Sequence, residues 1–413
     1  MNMLRELNPS LRTLMTPGPV EAEPRVLRAM TIPIIGQFDP EFLEIMDETM
    51  ELLRMTFQTR NHWAYPIDGT SRSGLEAVLN SIIEPDDKVL VPIFGRFGHL
   101  IAEIADRSGA DLTTMECEWG TAFDQDEIIT EIKRVKPKVV ALVHGETSTG
   151  IMQPLDEIGK FCRANDVLFV VDAVATLGGT DFKTDEWFVD AVISGTQKCL
   201  GVPTGMAPIT YNERIEKIIL ERRKIEQGLD STSKNSRRIQ SNYFDLSQIQ
   251  EYWSPKRLNH HTESTSMLYA LREGLRIVHE EGLQERFERH KFHEFALVAG
   301  LEAMGLTLFG DSRYKMPVVT CVHIPDGVNG DAVRSTMSKE FGVEIASTFG
   351  ALAGKIWRIG SMGFSCRKEN ILKVLAVLEA SVYRHGGKVN SGKALQAALD
   401  VYEGKTAVLS GKY

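Results

Sequence analysis

The sequence predicts an α/β protein whose large domain is a mostly parallel sheet covered by helices, followed by a smaller α+β domain. Two observations carry this expectation. Short β-rich runs recur between helix-length amphipathic stretches, and from about Thr265 the pattern changes to long amphipathic helices around one strand-like run, "MPVVTCVHIP". Alternation of the first kind builds parallel sheets with helices on their faces.

The β-rich runs are "KVLVPI" at 88–93, "KVVALV" at 138–143, "VLFVV" at 167–171, "AVIS" at 191–194 and "MAPITY" at 206–211. Ligands of such sheets bind beyond the carboxyl ends of the strands, so the residues that follow each run matter most. They are "FGRFG", "HGETSTG", "DAVATLGG" and "GTQK" after the first four runs. Four loops rich in glycine, hydroxyls and ionisable groups are expected to converge on one edge.

Residues 212–262 are more polar, and "ERRKIEQGLDSTSKNSRR" reads as a helix running into a solvated loop. A helix at 265–281 is expected to join the two domains. The run "RKENILKVLAVLEASVYRH" and the tail "GKALQAALDVYE" read as helices, the latter docking its apolar face on the body or on a partner subunit. The expected division is an N-terminal arm at 1–20, a large domain at 21–280 and a small C-terminal domain with a helical tail at 281–413.

Composition narrows the function. The chain has 413 residues, 43% hydrophobic and 25% charged, and its net charge of -9 argues against nucleic-acid or anionic-membrane partners. Five cysteines, far apart and without a C-x-x-C pair, suggest neither a disulfide framework nor a zinc site, and no metal is expected. The N-terminus lacks the apolar core of a leader, and the longest apolar stretch, "VLFVVDAVATL", is interrupted by Asp172 and too short to span a bilayer. A cytoplasmic protein acting on small molecules is the expectation.

Asp172 ends an apolar strand run, where an unpaired carboxylate is costly; a helix cap or salt bridge is the plain alternative. Lys198, in "SGTQKCLG", ends the next run, where a snorkelling lysine is the plain reading. Together they form the pair that pyridoxal phosphate requires: a lysine for the Schiff base and an aspartate that keeps the pyridine nitrogen protonated. Lys198, once displaced by substrate, is free to shuttle the α-proton. "DGTSRSGLEAVLNSII" adds a glycine-hydroxyl turn that opens a helix, where backbone N–H groups and the hydroxyls of Thr70 and Ser71 can hold a phosphate. Alone, that turn is equally an ordinary N-cap.

"TPGPV", "GTSRSGLEA", "FGRFG", "HGETSTG", "VDAVATLGG", "SGTQKCLGVPTGMAP", "HHT" and "WRIG" occur in the order and spacing of the class V aminotransferases of fold type I. The chain resembles most the alanine/serine–glyoxylate aminotransferase group, from about residue 12 to 385. The resemblance implies the aspartate aminotransferase-like fold and a homodimer with shared active sites. It also implies that Lys198 forms the Schiff base, Asp172 pairs with the pyridine nitrogen, Val174 packs on one ring face and Phe97 stacks on the other. Many relatives have tryptophan at the position of Phe97, so the stack keeps an aromatic ring but loses an indole N–H.

The same resemblance places Thr147 near the phenolic oxygen and Thr70, Ser71, Arg72 and Gln197 around the phosphate. It implies that Thr262 reaches the phosphate of the neighbouring subunit's cofactor and that Arg358 grips the substrate carboxylate, a bidentate contact that lysine cannot reproduce. His144 and Glu146 read as structural supports, since Lys198 already moves the proton. Cys199 reads as packing, because its neighbour on a strand would point to the opposite face.

Two positions depart from the group's common pattern: Gln37, where relatives often have histidine or serine, and Asn259, where a tyrosine usually precedes the two histidines. Both are expected to face the substrate. Carboxamides match a ureido group, which presents a donor and an acceptor in one plane. These features resemble the (S)-ureidoglycine–glyoxylate aminotransferases of purine breakdown, which form oxalurate and glycine. The alternative is an alanine– or serine–glyoxylate aminotransferase in which Gln37 and Asn259 bond each other or the cofactor phosphate. A cysteine desulfurase would need a reactive cysteine in a mobile loop, which neither Cys321 nor Cys366 resembles. An inert ligand-binding protein would not need Lys198, Asp172 and Arg358 together.

Overall fold

Seven strands form the central sheet of the computed structural model, which describes residues 3–4, 6–229, 234–348 and 350–405. They are β1 (Trp63–Asp68), β2 (Lys88–Ile93), β3 (Asp111–Glu116), β4 (Val139–Val143), β5 (Leu168–Asp172), β6 (Ala191–Ile193) and β7 (Met206–Tyr211). Their spatial order is β1-β7-β6-β5-β4-β2-β3. The pairs from β6 to β3 are parallel, while β7 runs antiparallel to both β6 and β1.

All five β-rich runs of the sequence lie in this sheet. Strands β1 and β3 were not expected, and both lie at its edges. The side chains of β3, "DLTTME", are mostly exposed or half-buried, so its apolar signal is diluted. Strand β1 contains Pro66, which faces Pro208 across the β1–β7 pair; proline is tolerated where one side of the strand has no ladder to join.

Helix α1 (Ser71–Ile82) follows β1 and α2 (Arg96–Arg107) follows β2. Both bury one face against the sheet, α1 through Leu75, Val78, Leu79 and Ile82, and α2 through Ile101, Ile104 and Ala105. The expected helix in the polar segment ends earlier, at Glu221, because Arg222 turns inward. Its guanidinium donates to the carbonyls of Asn80, Ser81 and Ile83 at the end of α1, satisfying groups that a helix terminus leaves open. Residues 230–233 of that segment, and the tail beyond residue 405, lie outside the described residues.

Helices α3 (Thr265–Glu281) and α4 (Leu283–Ala303) meet at Gly282, whose φ of 91° gives the left-handed bend between them. Leu268, Leu271, Leu275 and Val278 of α3 belong to the core around the central sheet. A second core gathers Leu297 and Leu301 of α4, Val322 of β8 (Val319–His323), Trp357 of β9 (Ile356–Gly360), Leu375 of α5 (Lys368–Arg384) and Ala398 of α6 (Lys393–Tyr402). Gly300 lets α4, α5 and α6 approach closely: a Cβ there would stand 2.4 Å from Leu375 Cδ1 and 3.1 Å from the Ala394 carbonyl. A third, smaller cluster joins the two cores through Ala175, Cys199, Val318 and Ile356.

The N-terminal segment crosses between them. Thr13–Leu14 pairs in parallel with Val343–Glu344, and Met15 is fully buried in the second core. The chain then turns through Pro17 and Gly18 toward the end of the central sheet. Among the described residues, no helix is long and apolar enough to cross a membrane.

Candidate active site

The carboxyl ends of β4, β5 and β6 stand side by side: Val143 pairs with Asp172, and Asp172 with Ile193. The loops that follow them, together with the N-terminus of α1 and the start of α2, enclose a cavity of about 210 Å³. Thr70, Ser71, Arg72, Phe97, Thr147, Asp172, Val174, Gln197 and Lys198 all line it. Nine residues singled out in the sequence thus meet at one place.

Asp172 is the last residue of β5 and is 5% exposed. Its Oδ1 accepts the Val174 N–H at 2.8 Å, a short local turn that orients the carboxylate. Burial outweighs that bond and pushes the carboxyl up to about 7, with the buried Glu146 adding to the rise. Such a group calls for a cationic partner on its open side.

Lys198 lies in the turn after β6, not at a strand end as expected, since β6 stops at Ile193. Its ammonium donates to the Pro17 carbonyl. Burial, followed by the positive charge of Arg358, lowers its pKa to about 8. A lysine shifted this far holds a usable neutral fraction near neutral pH, as a nucleophilic amine requires. The strand argument for Cys199 falls with that of Lys198, although the thiol is fully buried and donates to the Ala175 carbonyl at 3.2 Å.

Pro17 and Gly18 are partners the sequence reading had not assigned. Gly18 has φ 102°, and a Cβ there would fall 2.6 Å from Lys198 Nζ. The Pro-Gly-Pro run was the available signal, because such a run marks a tight turn. It says nothing of what the turn faces.

At the other end of the cavity, Thr70 occupies the N-cap of α1 without bonding its first-turn N–H groups through its side chain. Gln197 Nε2 donates to Ser71 Oγ at 3.1 Å. A Cβ at Gly195 would fall 2.0 Å from Ser71 Oγ and 3.0 Å from Gln197 Oε1, so this cradle accepts only glycine there. Uncapped N–H groups, two hydroxyls and a carboxamide make an anion site.

Glu146 supports the wall. It is fully buried, and its carboxylate accepts the N–H of Phe97 at 2.8 Å and of Ser148 at 2.9 Å, fixing the start of α2 that presents Phe97. His144 bonds Thr176 Oγ1 at 2.9 Å, packs edge-on against Phe182 and Trp187, and is lowered by burial to about 3. It stays neutral at physiological pH, in keeping with a structural role.

Arg358, on β9, is not among the cavity-lining side chains. Its Nη1 donates to the Thr147 carbonyl at 3.0 Å and its Nε to the Ser347 carbonyl at 2.7 Å, which fixes the guanidinium beside the cavity wall. Three expected residues lie elsewhere in the single chain. Thr262 and Asn259 are exposed, and Gln37 Nε2 donates to Asn259 Oδ1 at 2.9 Å while its Oε1 accepts the Glu263 N–H at 2.9 Å. The two carboxamides therefore bond each other, and neither lines the Lys198 cavity of its own chain.

The class-V aminotransferase family model matches residues 35–362. The chain belongs to this family. The aminotransferase is 64% identical to the (S)-ureidoglycine–glyoxylate transaminase of Bacillus subtilis over 98% of each chain. The crystal structure of the ureidoglycine–glyoxylate aminotransferase from Bacillus subtilis superposes with a TM-score of 0.93 at 65% identity, covering 97% of this chain and 100% of that one. The alanine–glyoxylate aminotransferase of Drosophila melanogaster is 36% identical over 90% of this chain and 92% of its own.

The aminotransferase is thus a fold type I enzyme dependent on pyridoxal phosphate. Its residues fit that cofactor: a buried carboxylate lacking a cation stands at one end of the cavity, an anion cradle at the other, and a low-pKa lysine between Pro17 and the wall. Cys321 and Cys366 are buried and raised to about 12, unlike a reactive desulfurase cysteine.

Proposed function

We propose that this enzyme transfers the amino group of (S)-ureidoglycine to glyoxylate, giving oxalurate and glycine in purine (allantoin) breakdown. The observation that carries the donor assignment is the 64% identity to the (S)-ureidoglycine–glyoxylate transaminase of Bacillus subtilis; the Gln37–Asn259 bond is the one that the alternative expects, and the donor reading draws on what this carboxamide pair leaves open. Asn259 Oδ1 already accepts from Gln37 and Gln37 Oε1 from the Glu263 N–H, each with one lone pair left, while Asn259 keeps two amide N–H groups and Gln37 one to meet a ligand. They suit the carbonyl oxygen of a ureido group rather than its N–H edge, which refines the expectation that the carboxamides would offer both. Alanine presents no such oxygen in its side chain.

In this reading pyridoxal phosphate supplies an electron sink for the charge left when the substrate's α-C–H bond breaks. Asp172 would hold the pyridine nitrogen protonated, and Phe97 and Val174 would flank the ring. Thr147 would face the phenolic oxygen, while Thr70, Ser71, Arg72 and Gln197 would hold the phosphate. Lys198 carries the proton to and from the α-carbon. Arg358, pre-oriented by two carbonyls, receives the substrate carboxylate.

Gln37, Asn259 and Thr262 enter such a site only from a second subunit. Their surroundings favour one: Ile34 is 72% exposed, Phe38 50% and Leu258 52%, an apolar surface around the carboxamide pair. Patches of this kind mark subunit interfaces. We therefore read the enzyme as a cytoplasmic homodimer with shared sites, built from an arm at 1–20, a large domain at 21–280 and a small domain at 281–413.

The test is the half-reaction of purified, cofactor-loaded enzyme with fresh (S)-ureidoglycine, L-alanine or L-serine, following the visible cofactor band before glyoxylate is added. Fast bleaching by ureidoglycine alone is expected. Preference for alanine or serine would leave the lysine chemistry intact and overturn the donor assignment.

A further inference from the structure

A second cluster of ionisable groups lies where the exposed 259–262 segment meets the turn before α1. Asp68 ends β1, immediately before the cradle residues Gly69–Ser71; His261 and Glu263 flank Thr262. The Glu263 side chain is 2% exposed, that of His261 13% and that of Asp68 14%. Three of their atoms, Asp68 Oδ1, His261 Nε2 and Glu263 Oε2, are buried with no hydrogen-bond partner. Buried polar atoms are nearly always hydrogen-bonded, so three unmet together demand an explanation.

A hydrogen bond between the Asp68 and Glu263 carboxyls supplies only part of it and requires one of them to hold a proton. His261 Nε2 stands 3.4 Å from Asp68 Oδ2 and 3.8 Å from Glu263 Oε2, too long for sound hydrogen bonds. Donors at about 2.0–2.2 Å from a tetrahedral centre lie roughly 3.3–3.6 Å apart, a range that holds the Asp68 separation and that the Glu263 one exceeds slightly. One ligand atom from each of the three residues lies within 4.8 Å of the other two.

The far side of the imidazole agrees. His261 Nδ1 bonds His260 Nδ1 at 2.8 Å. When His261 is the donor, its Nε2 lone pair faces two carboxylates, an arrangement that repels unless a cation lies between them. Fixing the outer ring nitrogen by a second partner is how ligating histidines are commonly oriented.

We propose that Asp68, His261 and Glu263 form a divalent-cation site of the zinc class, which pins the 259–263 segment to the turn entering α1. The expectation of no metal rested on cysteine spacing, which does not bear on a set drawn from two distant segments without cysteine. The bound ion fixes the segment from which Asn259 and Thr262 project, whatever the amino donor proves to be. Its ligands must be deprotonated, so binding of the ion releases protons and acid weakens it.

The experiment is equilibrium dialysis of the cofactor-loaded enzyme, first stripped with chelator, against Zn²⁺, alongside Glu263→Gln and His261→Gln. Wild type should take up one Zn²⁺ per chain at this site with affinity about 100-fold or more above either variant. The cofactor band and circular dichroism verify that each variant is folded. An anomalous difference map from Zn²⁺-soaked crystals gives a readout free of substitutions, with the peak expected among the three side chains. No peak there, or equal uptake by wild type and both folded variants, would overturn the site and leave a carboxyl pair sharing a proton.

Discussion

The ammonium of Lys198 is held by the carbonyl of Pro17, and the next residue, Gly18, at φ 102°, lies so close that a Cβ there would overlap the end of the lysine and force it to move. The N-terminal segment is therefore part of the setting of Lys198, the residue proposed to be catalytic, and is reached from the opposite core by way of Thr13–Leu14. Gly18→Val combines an unfavourable φ with overlap at Lys198. It should lower kcat by about tenfold or more, given roughly 1–3 kcal/mol of local strain, and weaken cofactor retention. Steady-state kinetics and the cofactor band check this; an unchanged kcat would separate the N-terminal turn from catalysis.

Lys198→Ala should abolish transamination. In the wild type, covalent attachment of added pyridoxal phosphate needs the neutral amine, and the lysine is lowered to about 8. The attachment rate of cofactor-free enzyme should thus rise with pH up to about 8 and then level off. Stopped-flow absorbance across that range provides the test, and a rate still climbing tenfold per unit well above pH 9 would place the lysine near its ordinary value.

Asp172 carries a linkage of opposite sense. Its carboxyl moves from an ordinary 3.8 up to about 7 through burial, so the cofactor-free folded chain keeps a proton that the unfolded chain releases. The resulting stabilisation is complete below about pH 4 and is lost as pH rises through about 7. Asp172→Asn has no such proton. The melting temperature of the cofactor-free wild type should therefore fall relative to the variant between about pH 4.5 and 7.5, and parallel profiles would refute the shift. With Asp172 as the proposed partner of the pyridine nitrogen, the same substitution in the loaded enzyme should lower kcat/KM by about 10²-fold or more.

Much of this site was legible because its chemistry sits in local signals. A carboxylate at the end of "VLFVV", a lysine after "SGTQ" and hydroxyls before a helix each conflict with a bland strand or cap, and the conflict points to function. The edge strands β1 and β3 were not legible, since exposure dilutes the apolar pattern of β3 and Pro66 interrupts that of β1. Contacts between distant segments were equally silent: nothing in "TPGPV" says that it faces Lys198, and nothing in "NHHTE" says that it meets Asp68. Lys198 itself was placed a turn too early because the strand's end at Ile193 is set by pairing with β5, not by composition.

Helix packing in the second core offers a prediction independent of the active site. At Gly300 the three helices are so close that a new Cβ meets Leu375 at 2.4 Å. Gly300→Val overpacks this contact and should destabilise the protein by about 1–3 kcal/mol. A lowered urea midpoint with normal turnover at low temperature is the expected pattern; an unchanged midpoint would mean that α4 and α5 separate at little cost.

The donor assignment is tested most directly at Asn259. Its Oδ1 accepts from Gln37, while its two amide N–H groups remain to select a ureido oxygen, and tyrosine there would remove them while filling the space of a longer donor. A polar site discriminates strongly because an ill-matched substrate leaves buried groups unpaired, by about 10⁴-fold where such groups are dedicated to recognition. Asn259→Tyr should therefore depress kcat/KM for (S)-ureidoglycine by about 10²-fold or more and shift the ranking toward L-alanine. Gln37→Ala supplies an independent arm: it frees Asn259 Oδ1 and the Glu263 N–H together, so ureidoglycine turnover should fall without the gain in alanine turnover that the tyrosine brings. Should both variants keep the wild-type ranking of donors, the carboxamide pair would be a surface bond of the subunit, and selection of the amino donor would have to reside among the cavity-lining residues around Lys198.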